Sequence, residues 1–303
     1  MDPKTSGILV VDKPAGLSSA SVVGRVKRLL QVSKIGHAGT LDPFATGVLV
    51  CCLNKATRLA GFLISGNKTY EAILHLGEET DTQDATGRVT KKEEREILFS
   101  KQEITTAFDR FTGHINQLPP VYSALKHKGV PLYKLARAGN PVQKPARPVE
   151  IMHMNIVEIH MPFIRFDVTC SSGTYIRALC SDIGHELGCG GHLKALRRTE
   201  CGGFSLDRAV TLEELDTLAA KDQWMDALTP MKDSLKDLPV CLADGELTEK
   251  IKNGRVLSRN DLYPEEVRDQ KGLIGLVDEN NALIALLTHE ENSTTYPYYC
   301  VLI

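Results

Sequence analysis

Between residues 69 and 76 the chain reads TYEAILHL, with Tyr70, Ala72, Leu74 and Leu76 at every second position. That period of two is the signature of a strand with one buried face. Other extended runs are ILVVD at 8–12, which Ser6-Gly7 leads into and Lys13-Pro14-Ala15-Gly16 stops, and VLVCCL at 48–53. The segments 149–159 and 164–170 read as a hairpin pair. Helical spacing lies between the strands. Ser18 and Ser19 can cap a helix bearing Val22, Val23, Val26, Leu29 and Leu30, and Ile176, Leu179, Ile183 and Leu187 share one face of another. The strands and helices do not alternate as regular βαβ units. The expected class is therefore α+β and not a doubly wound fold.

Shorter helices are expected over 55–64, 104–111, around Tyr133 to Ala138, over 247–252, and as two acidic segments within 211–228. The polar stretch 77–100 reads as a loop with a short strand. After about residue 238 the texture changes. GLIGLVDENNALIALLTHE forms two apolar runs joined by Asp278-Glu279-Asn280-Asn281, a hairpin turn, and YPYYCVLI closes as a third strand. A chain of 303 residues can bury one large core and a smaller one, which gives the expected division 1–237 and 238–303, the second part small and β-rich.

No apolar run approaches the roughly 20 residues that span a bilayer. The opening MDPKTSGILVVDKP carries an acid at once and lacks a secretory pattern, so a cytoplasmic location is expected. The eight cysteines include no C-x-x-C pair, and histidines and cysteines do not fall at zinc spacing. They read as reduced thiols serving as small apolar side chains, with no metal or redox site among them. The net charge of −2 hides an uneven distribution. Residues 11–70 carry eight Lys/Arg against Asp12 and Asp42, and 121–149 carry Lys126, Lys128, Lys134, Arg137, Lys144 and Arg147 with no acid. Basic stripes on a neutral protein suit contact with a phosphate backbone, although solvated helix faces give the same count.

One loop concentrates the features of a site. In KIGHAGTLDPFATG, glycines 36, 39 and 47 surround a single carboxylate, Asp42. Pro43 fixes its own φ and holds Asp42 extended. The loop lies between apolar segments that can present it rigidly. From chemistry alone, Asp42 serves a reaction or caps an Asx-turn with equal weight. No P-loop, catalytic triad or dinucleotide-binding glycine pattern accompanies it.

At this loop the sequence resembles the TruB-type bacterial tRNA pseudouridine synthases. GHAGTLDPFATG resembles the family's catalytic motif, and other segments agree with it in the family's order. They are KPAG at 13–16, KTYEAILHLGEETDTQDATG at 68–87, QLPPVYSALKHKG at 117–129 and SSGTYIRALCSDIGHELGCGGHLKALRRTECGGF at 171–204. The resemblance covers about residues 7–205 and departs only where Phe44 and Thr40 stand in for other residues. It implies a large pseudouridine-synthase catalytic domain built on a mixed sheet, followed by a PUA-like RNA-binding domain. It also implies isomerisation of uridine to pseudouridine, at uridine 55 of the tRNA T loop, by base flipping and without metal or cofactor.

By the same resemblance Asp42 is the essential carboxylate, acting by attack on the sugar, attack on the base or assisted elimination. Arg177 would pair with it and keep it ionised. Tyr70 would lie against the target base, stacking on it and taking a proton from the sugar. Tyr175 and Leu196 would line the base pocket, Lys13 would support the site, and His37 would insert into the RNA. The expected partner is the tRNA T arm, with the basic stretch 121–149 as clamp, no membrane and no obligatory protein partner. Alternatives are a guide-RNA-dependent synthase, an RNA chaperone that binds without turnover, and a nucleotide hydrolase using a metal at TDTQD (80–84), a segment that otherwise reads as a turn.

Overall fold

The computed structural model describes residues 5–235, 238–264, 267, 272–289 and 293–303. Residues 1–4 of the opening segment, the boundary residue 237 and Glu290 at the end of the apolar run lie outside the described residues.

The chain begins with β1 (Gly7–Lys13) and α1 (Ser19–Leu30), followed by β2 (Ile35–His37) and β3 (Thr46–Leu53). Ser18 caps α1 through its hydroxyl, which accepts from the Ser21 N–H. The region read as one helix over 55–64 is a 3-10 turn, 54–59, running into α2 (Ala60–Ser65). Then come β4 (Lys68–Leu76) and a hairpin of β5 (Glu78–Thr80) and β6 (Val89–Lys92). Helix α3 (Lys101–Asp109) carries a full capping box between Ser100 and Glu103. After it lie β7 (Gly113–Gln117), the two-residue β8 (Lys126–His127) and β9 (Val130–Pro131), and α4 (Leu132–Arg137). The long hairpin β10 (Arg147–His160) and β11 (Phe163–Cys170) precedes α5 (Ile176–Glu186), β12 (Gly191–Cys201) and β13 (Phe204–Ser205). Helix α6 (Leu212–Ala220) and β14 (Leu228–Thr229) complete this part.

Ten of these strands form one sheet in the order β14-β1-β3-β12-β4-β11-β10-β7, with β2 on β3 and β13 on β12, while β5–β6 and β8–β9 pair only with each other. Every pairing but one is antiparallel; β3 and β12 run parallel at Arg197↔Thr46 and Arg198↔Gly47. The alternation of β4 is realised directly, since Tyr70, Ala72, Leu74 and Leu76 are buried in the core together with Phe166, Leu179 and Ile183. A second cluster packs α1 and α6 against β1 and β3, with Trp224 inside it.

Strand β12 is central, yet no period of two marks it in the sequence. Its residues GHLKALRRTEC lose the alternation because the strand carries bulges at Leu193/Ala195 and Arg198/Glu200. Each bulge shifts the faces of the residues beyond it, so Lys194 and Arg197 stand out of step with Leu193 and Leu196. The short β2 reads as loop for want of length.

The C-terminal segment forms β15 (Val240–Leu242), α7 (Gly245–Lys252), β16 (Leu257–Ser258), β17 (Gly272–Val277), β18 (Leu283–His289), β19 (Thr295–Tyr296) and β20 (Tyr298–Val301). Its sheet runs β15-β17-β18-β20 around a core of its own that includes Leu247, Ile274 and Tyr296. The opposite face joins a cluster shared with the large sheet, where Val277, Leu283, Leu286 and Leu302 meet Leu63, Phe204 and Leu235.

Candidate active site

The Asp42 loop occupies a split in the sheet. Strand β2 pairs with β3 at Cys51–Leu53, and β12 takes the same edge of β3 at Thr46–Gly47. Between them the edge of β3 has no strand neighbour among the described residues, and the loop fills the opening. Ala38 donates its N–H to the Val50 carbonyl at 2.9 Å. The Arg198 side chain supplies what a strand would have, donating Nε–H to the Val48 carbonyl at 2.7 Å and an Nη2–H to the Gly39 carbonyl at 3.1 Å. Arg198 is 1% exposed, and its charge is accepted there because the backbone carbonyls need donors.

The loop is pinned from the other side by the turn after β1. Ser19 bridges both polar groups of Leu41, accepting from its N–H at 2.8 Å and donating to its carbonyl at 3.0 Å. Gly16 donates to the Pro43 carbonyl. Lys13, fully buried, donates to the carbonyls of Pro14, Leu17 and Pro43. Burial lowers the Lys13 pKa to about 8, against the opposing pull of Asp42. Lys13 thus binds the KPAG turn to the Asp42 loop and does not line the cavity.

Asp42 sits beside a cavity of about 400 Å³. His37, Tyr70, Tyr175, Arg177 and Leu196 line the same cavity, so five of the residues singled out from sequence converge on the sixth. The Asp42 carboxylate lies 2.8 Å from Arg177 Nε. Among the described residues no hydrogen bond runs from it to the loop backbone, so the Asx-turn alternative is not what the loop adopts. Desolvation raises the Asp42 pKa, and the Arg177 charge is the largest influence bringing it back down. Arg177 is 4% exposed and held in a fixed orientation. It donates to the Thr82 and Tyr122 carbonyls at 2.8 Å each, and Asp84 Oδ2 lies 3.7 Å from Nη1.

Two aromatic rings lie across the cavity. Tyr70, 8% exposed, has its phenol pKa pushed up to about 12 by burial, with Arg198 beside it opposing the rise. At neutral pH it is therefore an uncharged hydroxyl. Tyr175 precedes α5, and its main chain is held by Gln117, which accepts its N–H at 2.8 Å and donates to its carbonyl at 3.0 Å. Arg147 lies over the Tyr175 ring, 5.0 Å from its centroid. Burial, followed by the Arg198 charge, lowers the His37 pKa, so this ring is neutral at pH 7.

Sequence reasoning assigns Asp84, Gln117, Arg147 and Arg198 no place at this cavity, although Arg147 stands in the basic clamp stretch and Asp84 in TDTQD. Asp84 lies in TDTQD, read as a turn, and the turn is there. Its buried carboxylate also accepts from Thr82 and from the Thr86 N–H and hydroxyl, which leaves its other oxygen toward Arg177. A single acid flanked by threonines two residues away on each side was the available signal. Arg198 could not be found without β12.

The same architecture recurs in known proteins. Residues 27–176 match the model of the N-terminal domain of TruB family pseudouridylate synthases, and residues 177–236 match the tRNA pseudouridylate synthase B C-terminal domain. The chain belongs to the TruB family. A tRNA pseudouridine synthase B from Bordetella parapertussis is 47% identical over 226 residues, covering 74% of this chain and 93% of that protein. One from Burkholderia pseudomallei is 41% identical over 285 residues, covering 94% and 93%. Solved structures share the fold: the crystal structure of a Cbf5-Nop10-Gar1 complex matches with a TM-score of 0.75 at 26% identity, over 98% of this chain and 85% of that one. An archaeal Nop10-Cbf5 complex matches with a TM-score of 0.73 at 25% identity, over 98% and 86%. The α+β class with a mixed sheet is thus that of the TruB family, and the Asp42 loop lies within the matched N-terminal domain.

Proposed function

We propose that this TruB family enzyme converts uridine 55 in the T loop of tRNA to pseudouridine, with Asp42 as the essential carboxylate. The observation that carries the reading is the 2.8 Å pair of Asp42 with a buried Arg177, itself anchored to two carbonyls, at the wall of a cavity faced by two tyrosines and Leu196. The relatives' shared name, tRNA pseudouridine synthase B, supports tRNA as substrate.

The reaction breaks the bond between uracil N1 and ribose C1′ and forms one between C5 and C1′. The C5 hydrogen leaves to solvent and N1 gains a proton, so nothing is oxidised and no co-reactant is consumed. The chain's task is to hold the detached base and sugar. The Arg177 charge opposes the rise that burial imposes on the Asp42 pKa, and it aims the carboxylate. Tyr70 stacks on the base as an uncharged ring, and Tyr175 and Leu196 complete the apolar walls. Asp84 holds the guanidinium from behind. The neutral His37, at the rim, fills the space left when the uridine flips out. Exposed Lys126, Lys128, Lys134 and Arg137 contact phosphates of the T arm, and the 238–303 segment, which we assign to a PUA-like fold, extends that contact. The enzyme then works on the tRNA pool of the cytoplasm.

Guide-RNA dependence is the second reading, since the structural neighbours were solved in complexes with Nop10 and Gar1. The 41–47% identity with the bacterial relatives favours the stand-alone form. The test is to incubate the purified protein alone with an unmodified T-arm hairpin and to map pseudouridine by carbodiimide labelling and primer extension. A stop at position 55 supports the proposal. Stops elsewhere, or none until accessory proteins and a guide RNA are added, overturn it.

A further inference from the structure

Away from the cavity, β12, β4 and the start of the β5–β6 hairpin bring together a second set of chemically capable side chains. His75 and His192 are direct cross-strand partners on β4 and β12. Their rings meet edge to face at 4.8 Å between centroids, and Phe163 packs on the other side of His75 at 4.6 Å. Glu78, the first residue of β5, completes the group: one donor atom from each of His75, Glu78 and His192 lies within 4.8 Å of the other two. Sequence spacing carries no hint of the group, because the three donors come from different strands.

Two details go beyond proximity. His192 is 2% exposed, and its Nδ1 lies 2.8 Å from the Glu78 backbone carbonyl. A carbonyl can only accept, so Nδ1 carries the proton and the Nε2 lone pair is left to bind. This is how metal-bound histidines are oriented by a partner on the other ring nitrogen. His75 Nδ1 is buried with no hydrogen-bond partner among the described residues. A buried nitrogen of that kind is costly unless something occupies it. Burial also lowers the His75 pKa, which keeps the ring in the neutral, ligating form.

We propose that His75, Glu78 and His192 bind a divalent transition metal ion, Zn²⁺ in the first place, which fastens the β5–β6 hairpin to the sheet. Two imidazoles and a carboxylate are a donor set suited to zinc, with water in the fourth position. Donors within 4.8 Å of one another close onto an ion at about 2.0–2.2 Å by side-chain rotation. Lys92, 3.9 Å from Glu78 Oε2, gives up that contact on metal entry. The hairpin is worth fastening because it carries Asp84, which touches Arg177, and because Asp84 already bridges to Leu193, the residue after His192. The ion takes no part in the isomerisation; it is a clasp.

The test uses the whole protein, stripped with a chelator and dialysed. Calorimetric titration with Zn²⁺ should show one saturable site, and thermal unfolding with excess Zn²⁺ should shift upward by several degrees. Co²⁺ should give visible d–d absorption without the thiolate charge-transfer band that a cysteine site shows. His192 is buried and its replacement endangers folding, so the informative variants are Glu78→Gln and His75→Gln, checked by circular dichroism. Each should weaken binding by more than the roughly 10–100-fold that loss of an outer partner causes. No saturable site in the wild type, a thiolate band with Co²⁺, or unchanged affinity in both variants overturns the proposal.

Discussion

Asp42 carries two opposed influences, and its neighbours decide the balance. Burial raises its pKa and Arg177 lowers it. Replacing Arg177 with Met removes the larger counterweight, so the acid limb of the kcat/KM profile should move to higher pH. At neutral pH the rate should fall by at least about 10²-fold, the scale of loss when a reacting group is misplaced by an ångström. A pH–rate profile of the variant checks both; an unmoved limb contradicts the assigned pairing. The stability effect has the opposite sense to that of an ordinary salt-bridged acid. A native pKa above the unfolded one means that stability is lost as pH rises through that interval. Asn cannot ionise, so Asp42→Asn should unfold at pH 7 no lower in temperature than the wild type. Calorimetry at pH 5 and pH 7 should show the variant's advantage at the higher pH. At this scale the sequence was most legible: a lone aspartate before proline in a glycine-flanked loop marked the centre, and resemblance supplied Arg177, Tyr70, Tyr175, Leu196, His37 and Lys13. Asp84 and Arg198 were not legible, because a buried charge is recognised by what surrounds it, and their surroundings come from β12 and the hairpin.

Among the elements, the junction of β3 and β12 does most to hold the site. Gly47 has φ +99°, and a Cβ there would meet the Arg198 carbonyl oxygen at 2.2 Å. Both the backbone angle and the space demand glycine. Gly47→Ala should therefore destabilise by more than the roughly 1 kcal/mol that an Ala exchange can gain at a compatible site, read as a lower urea midpoint. Gly16, with φ +85° but no atom within 4 Å, should tolerate Ala better, which makes it the control. Strands with clean alternation, such as β4, could be read directly from the chain. Strand β12 could not, since two bulges and the buried Arg198 mask its period. The 3-10 turn before α2 was hidden for a different reason, because apolar spacing over so few residues does not separate 3.0 from 3.6 residues per turn.

Across the whole molecule, the C-terminal sheet is tied to the large one by apolar side chains. Leu286 and Leu302 from the tail are buried in the same cluster as Leu63 and Phe204. Thermal unfolding should therefore be a single cooperative transition, and a chain ending at 235 should melt lower and aggregate on exposing that face. Two separated transitions would contradict the shared core. The change of texture near 238 made the second unit visible in sequence, but which face it turns to its neighbour was not, because both faces of β18 are apolar. RNA affinity should fall with salt, and replacing Lys126 and Lys128 with Ala should weaken binding and reduce the salt slope by about 1 for each lost phosphate contact.

The central claim, that Asp42 performs uridine isomerisation, is tested most directly by tritium release. A T-arm RNA labelled at carbon 5 of its uridines is incubated with wild-type protein and with Asp42→Asn, and RNA binding is measured in parallel. The wild type should release tritium. The variant should bind equally well and release it at least about 10³-fold more slowly, as expected for loss of a group in direct contact with the reacting atoms. Equal release by the two proteins would remove Asp42 from the chemistry, and binding without release by either would leave an RNA-binding protein that is not this enzyme.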